Sequence, residues 1–124
     1  MRKEALKFQS LGELIKGTLF LPDPQDKEDE GLLPVIILCH GAIDYKEHFY
    51  NFAAFLANSG YAALALDMHG HGESGGERFN VKMAEWVPDI HGAIKLLSTR
   101  DDIDKHRIGA IGFSSGGTAI LEYS

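Results

Sequence analysis

The sequence predicts an α/β fold, with a β-hairpin followed by parallel strands in a three-layer α/β/α arrangement. Three observations carry that reading. Val35–Cys39, Ala62–Leu66 and Ile108–Phe113 are unbroken apolar runs, of the kind covered on both faces in a parallel sheet. Between them lie two stretches with apolar residues at helical spacing: Phe49, Phe52, Ala53 and Leu56, then Ile90, Ala93, Ile94 and Leu97. The resulting order, β-β-β-α-β-α-β with a last helix from near Ser115, is the alternation that builds a sheet through right-handed crossovers.

Taken in chain order, Leu6–Ser10 and Leu14–Leu21 come first, two strands joined by a turn around Gly12. In the second, Leu14, Lys16 and Thr18 alternate with Ile15, Gly17 and Leu19, so one face is partly polar, as suits a hairpin at a sheet edge. Asp23–Gly31 is acidic, has almost nothing to bury and reads as a solvated loop; its carboxylates lack the spacing of a calcium loop. The first helix stops at Asn58-Ser59-Gly60. Pro88 marks the neighbourhood of the second helix's start, where a missing N–H does no harm, and Asp101–Arg107 reads as a short polar turn into the last strand. Trp86 and the tyrosines are core or rim residues.

Composition narrows the function classes. At 124 residues, 44% hydrophobic and 24% charged, the chain has the makeup of one globular domain. No stretch approaches the roughly 20 apolar residues of a membrane span. The charged start Met1-Arg2-Lys3-Glu4 has no apolar stretch behind it, so no secretory leader is expected and the cytoplasm is the default. Eighteen acidic residues against twelve Lys and Arg give a net charge of −6, which argues against a nucleic-acid partner. Cys39 is the only cysteine, so it forms no internal disulfide and anchors no cysteine zinc site; in its apolar run it reads as a buried, inert thiol.

The strongest chemical signal is Gly112-Phe113-Ser114-Ser115-Gly116-Gly117, a G-x-S-x-G pattern where a buried strand turns into a helix. A serine on so sharp a turn projects its hydroxyl above the sheet in a strained backbone conformation. Side chains two positions before and after would collide, which is why Gly112 and Gly116 are small. The same turn aims the Ser115 N–H and the start of the helix dipole at one spot, where an oxyanion can be stabilised. A simpler reading makes Ser114 an ordinary helix cap. Two further segments meet the motif: His40-Gly41-Ala42 at the end of Val35–Cys39, and Asp67-Met68-His69-Gly70-His71-Gly72-Glu73-Ser74-Gly75-Gly76-Glu77-Arg78 directly after Ala62–Leu66.

These three segments, in this order and spacing, resemble the serine α/β-hydrolase superfamily. The likeness is greatest to small esterases and to monoacylglycerol-lipase and serine-aminopeptidase-like members; the lead-in Ile103–Gly109 is similar to dienelactone-hydrolase relatives. The resemblance runs from about Leu14 to the end of the sequence. It implies Ser114 as nucleophile, the Ala42 and Ser115 N–H groups as oxyanion hole, and His40, Gly41, Gly112 and Gly116 as support for the loop and elbow. It also implies a structural loop of Asp67, Gly70, Gly72 and Ser74, a small ester or other acyl substrate, and no cofactor or metal.

In that superfamily the triad runs Ser, then Asp or Glu, then His. Ten residues follow Ser114 and none is histidine, while Glu122 falls inside the last helix. The resemblance therefore makes residues 1–124 the N-terminal half of a hydrolase domain, incomplete after the elbow and inactive alone. The alternatives are a non-catalytic binding or assembly unit, or an acyltransferase on the same fold. Of the histidines before Ser114, His48 is the candidate to approach the site as a substitute base. With the later strands missing, Ile108–Phe113 becomes an open edge, expected to self-associate or to take a missing C-terminal half.

Two other patterns in the glycine-rich segment point to different chemistry. Gly70-His71-Gly72-Glu73-Ser74-Gly75 fits the dinucleotide fingerprint literally, but Gly76–Asn80 prolongs the loop where that motif opens a helix. His69 and His71 have the spacing of two metal ligands, yet the flanking glycines indicate a tight turn and no third ligand is in view.

Overall fold

A computed structural model describes residues 1–24 and 31–124; residues 25–30 of the expected acidic loop lie outside the described residues. Five strands form one sheet: β1 (Arg2–Ser10), β2 (Glu13–Leu21), β3 (Leu33–Cys39), β4 (Ala62–Leu66) and β5 (Ile103–Gly112). Their order is β1-β2-β4-β3-β5. β1, β2 and β4 pair antiparallel, whereas β4, β3 and β5 run parallel. Helix α1 (Tyr50–Asn58) covers one face over Phe20, Leu38 and Ala63. Helices α2 (Met83–Ser98) and α3 (Ser115–Tyr123) cover the other, with Trp86, Ile90, Ala93, Leu97 and Ala119 packed on Val35, Ile37, Leu64 and Leu66. The three-layer α/β/α arrangement is the one the sequence predicts.

Three boundaries differ from expectation. β1 begins at Arg2, four residues before Leu6, with Arg2 opposite Leu21. An edge strand has only one neighbour and tolerates charge, so Arg2-Lys3-Glu4 joins the ladder without an apolar signature. α2 begins at Met83, so Pro88 is its sixth residue and lies inside the helix. The N–H groups of Glu85 and Trp86 both reach the Lys82 carbonyl, and Trp86, not Pro88, opens the buried stripe. Finally, Ile103–Arg107 belongs to β5: Leu33 pairs with Ile103 and Val35 with Ile108, so Asp104–Arg107 of β5 stand across from Pro34 alone in β3. The polar residues Asp104–Arg107 bulge outward across from Pro34, which has no N–H to give the ladder. The polarity read as a turn is this bulge.

Because β3, β4 and β5 are parallel, the loops after all three emerge at one edge of the sheet. That edge is where α/β sheets bind ligands. Among the described residues no helix is long and apolar enough to cross a membrane.

Candidate active site

The strand-to-helix turn is confined to very few residues. The Phe113 N–H still bonds the Cys39 carbonyl at 3.0 Å, and α3 starts at Ser115. Ser114 absorbs the reversal with φ 53° and ψ −118°. Such a conformation costs a non-glycine residue on the order of 1–3 kcal/mol and persists only where its surroundings over-determine it. Here they do. A Cβ on Gly112 would lie 2.4 Å from the Gly117 nitrogen, and one on Gly116 would lie 2.3 Å from the Cys39 carbonyl oxygen. The two glycines thus answer different neighbours, one the following helix and the other β3. Ser114 is exposed and its hydroxyl caps no helix N–H, so the ordinary capping reading fails.

The loop after β3 lies against this turn. A Cβ on Gly41 would sit 3.3 Å from Ser114 Cβ and 3.1 Å from the Phe113 carbonyl oxygen. Among the described residues neither the Ala42 nor the Ser115 N–H donates to a protein acceptor. His40 is fully buried; Nδ1–H donates to the Gly41 carbonyl at 2.7 Å and Nε2 accepts the Met68 N–H at 3.0 Å. Burial holds its imidazole below the ordinary value, so the ring is neutral. Next to Ala42, Ile43 has a left-handed φ of 55°.

Behind that loop, the segment after β4 is tied down by Asp67, which is fully buried. Its carboxylate accepts the Lys46 N–H and Nζ at 2.8 Å each and the Glu73 N–H at 2.9 Å. Burial acts to lower the Lys46 ammonium, but hydrogen bonds to Asp67 and Glu73 outweigh it and hold the group above its ordinary range. A Cβ on Gly72 would strike the Asp67 carboxylate at 2.2 Å. Ser74 donates to the Asp67 carbonyl at 2.6 Å and accepts the Lys16 N–H at 2.9 Å, joining the loop to β2. No helix begins between the glycines at 70–76 and Met83, unlike the turn of a dinucleotide site.

The remaining histidines have other partners. His69 Nδ1 faces Asp89 Oδ1 at 2.7 Å and its N–H reaches Oδ2 at 2.8 Å, while burial pushes the Asp89 carboxyl up. His71 Nδ1–H donates to the His69 carbonyl, and Nε2 accepts the Ile43 N–H at 3.1 Å. His48, the one histidine that is a candidate for a substitute base, pairs with Asp44 and lies against the Tyr45 ring. His91 and His106 are exposed. Among the described residues no imidazole bonds the Ser114 hydroxyl, and no three potential metal ligands cluster. Cys39 is buried, which together with nearby Asp89 pushes its thiol up to about 12. The partners of His71 and Lys46 were not legible in the sequence, because each contact crosses more than 20 residues between separate loops.

Residues 33–124 match the family model described as "Serine aminopeptidase, S33". The chain belongs to this serine aminopeptidase family. Among curated relatives of this family member, an uncharacterised 31.7 kDa Escherichia coli protein is 38% identical over 85 residues, 68% of this chain and 30% of its own length. A monoacylglycerol lipase from Mycolicibacterium smegmatis is 30% identical over 90 residues, 72% of this chain and 31% of its own. The chain thus spans about a third of the length of these relatives. The α/β hydrolase GrgF of Penicillium superposes with a TM-score of 0.87 at 21% identity, over 99% of this chain and 41% of that one. The fold is accordingly that of an α/β hydrolase.

Proposed function

We propose that the chain supplies the nucleophile and oxyanion hole of a serine hydrolase acting on carboxylic esters or related acyl compounds, an EC 3.1 type of reaction. The observation that carries this is Ser114 itself: a strained, exposed serine whose hydroxyl caps nothing, wedged between glycines that no side chain could replace. In this reading Ser114 Oγ attacks the acyl carbon, and the Ala42 and Ser115 N–H groups receive the developing oxyanion. His40, Gly41, Gly112 and Gly116 support that geometry. Loss of one such donor costs about 10²–10³ in rate. The acyl group then passes from Ser114 to water, or to another acceptor in a transferase.

A serine hydroxyl is a weak nucleophile without a base. No histidine follows Ser114, and the six that precede it are engaged or exposed elsewhere. We therefore place the acid and base outside residues 1–124 and expect this chain alone to be inactive. The same reading has β5, paired only with β3 among the described residues, take a further strand from the rest of a hydrolase or from a second copy. A non-catalytic assembly role is favoured over hydrolysis only if nothing supplies that acid and base.

The test is fluorophosphonate labelling of the native protein in extracts of its own cells, followed by peptide mapping. Modification at Ser114, abolished by Ser114→Ala, is the expected result. Labelling that survives the substitution sinks the assignment.

A further inference from the structure

The Ala42 N–H belongs to the peptide unit whose carbonyl is that of Gly41, and the next unit joins the Ala42 carbonyl to the Ile43 N–H. A trans peptide is planar, so fixing one of its polar groups aims the other in the opposite direction. All peptides of the described chain are trans. His40 Nδ1–H holds the Gly41 carbonyl at 2.7 Å, and His71 Nε2 takes the Ile43 N–H at 3.1 Å. Two imidazoles therefore hold the two peptide planes flanking Ala42, and with them the two soft dihedrals of that residue.

The His71 contact carries the heavier demand. Ile43 is β-branched with φ 55°, a genuine outlier for its type. Its side chain is 76% exposed, so packing does not hold it there. The ring that does is fully buried, 5.2 Å from His40, 5.3 Å from Trp86 and 5.9 Å from Phe79 between ring centroids. Its Nδ1–H is spent on the His69 carbonyl at 2.9 Å, which leaves Nε2 as the acceptor.

We propose that His71 is a positioning residue for the oxyanion hole: with His40 it brackets Ala42 and keeps its N–H aimed at the space above Ser114. This rests on the reading of Ser114 and Ala42 given above. The bracket requires an unprotonated Nε2 on each ring, because a second N–H there would face the Ile43 or Met68 donor.

Nuclear magnetic resonance of the 124-residue chain tests the bracket without any reaction. A nitrogen–nitrogen coupling across the hydrogen bond between the Ile43 amide and His71 Nε2 is expected, with the proton of His71 on Nδ1. The Nε2–H tautomer overturns the proposal with no variant needed. His71→Phe, which fills the same space without an acceptor, should change the residual dipolar couplings of Ala42 and Ile43 while those of β3 and α2 stay. His71→Gln, with a carbonyl that can reach Ile43, should restore them; unchanged couplings in His71→Phe also overturn the proposal. In the assembled hydrolase His71→Phe should lower kcat tenfold or more (about 10²-fold for an outright lost donor) with KM unchanged, and His71→Gln should recover most of it. A loss confined to KM counts against positioning. Failure of Ser114 to label, with the bracket intact, overturns the reading of the nucleophile instead.

Discussion

Ser114 holds a backbone conformation that its side chain makes costly, and that cost can be measured. Ser114→Gly removes the steric conflict at φ 53° and should raise stability by about 1 kcal/mol in urea unfolding, while abolishing phosphonate labelling. A variant less stable than the parent would show that Ser114 is not strained. His40 gives a pH signature of definite sign. Burial lowers its folded-state pKa, so just below the unfolded value of about 6.5 the unfolded chain binds the extra proton. Its contribution to stability is therefore full above that value and is lost as pH falls toward the lower folded one. Urea midpoints measured from pH 7 downward should decline, and His40→Asn should flatten that part of the slope. Ser114 and its glycines were legible because the constraint is local, five residues on one turn. The roles of His71 and Lys46 were not, since they depend on where two loops from different strands meet.

Among the elements, the hairpin offers the clearest prediction. Ser10 pairs with Glu13, so Leu11 and Gly12 form a two-residue turn with φ 50° and 80°. Both positive values mark a type I′ turn, which prefers Asn-Gly. Leu11 is 65% exposed, so Leu11→Asn loses little burial and should raise the melting temperature, by about 0.5–1 kcal/mol of stability. A lower melting temperature would mean that Leu11 packs in solution. The parallel strands were readable because burial on both faces leaves an unbroken apolar run. β1 and the start of β5 were not: one lies at an edge where charge is tolerated, and the other carries Asp104–Arg107 outward as a bulge. The start of α2 was not readable either, because Pro88 carries a helix-start signal while the buried stripe opens earlier, at Trp86.

For the whole molecule, the two margins of the sheet are unequal. β1 ends it with the charged residues Arg2, Lys3, Glu4 and Lys7, while β5 ends it with half-exposed Ile108 and Ile111 beside Ala110. Charges on an edge discourage pairing with another chain, and apolar edges invite it. Light scattering at high concentration should therefore give a mass above 13.6 kDa, and Ala110→Lys, at an exposed position, should return it to that of one chain. A single-chain mass at every concentration would argue that β5 is shielded by other means. Trp86 offers an optical report on the site. It is the only tryptophan, and its ring lies within 5.5 Å of both His40 and His71, with Nε1–H on the His69 carbonyl. An imidazolium in contact with indole quenches its emission. The tryptophan emission of this chain, excited beyond the tyrosine band, therefore comes from one point where α2 meets the loops after β3 and β4, and dimming on mild acidification would signal a proton arriving there before the fold is lost.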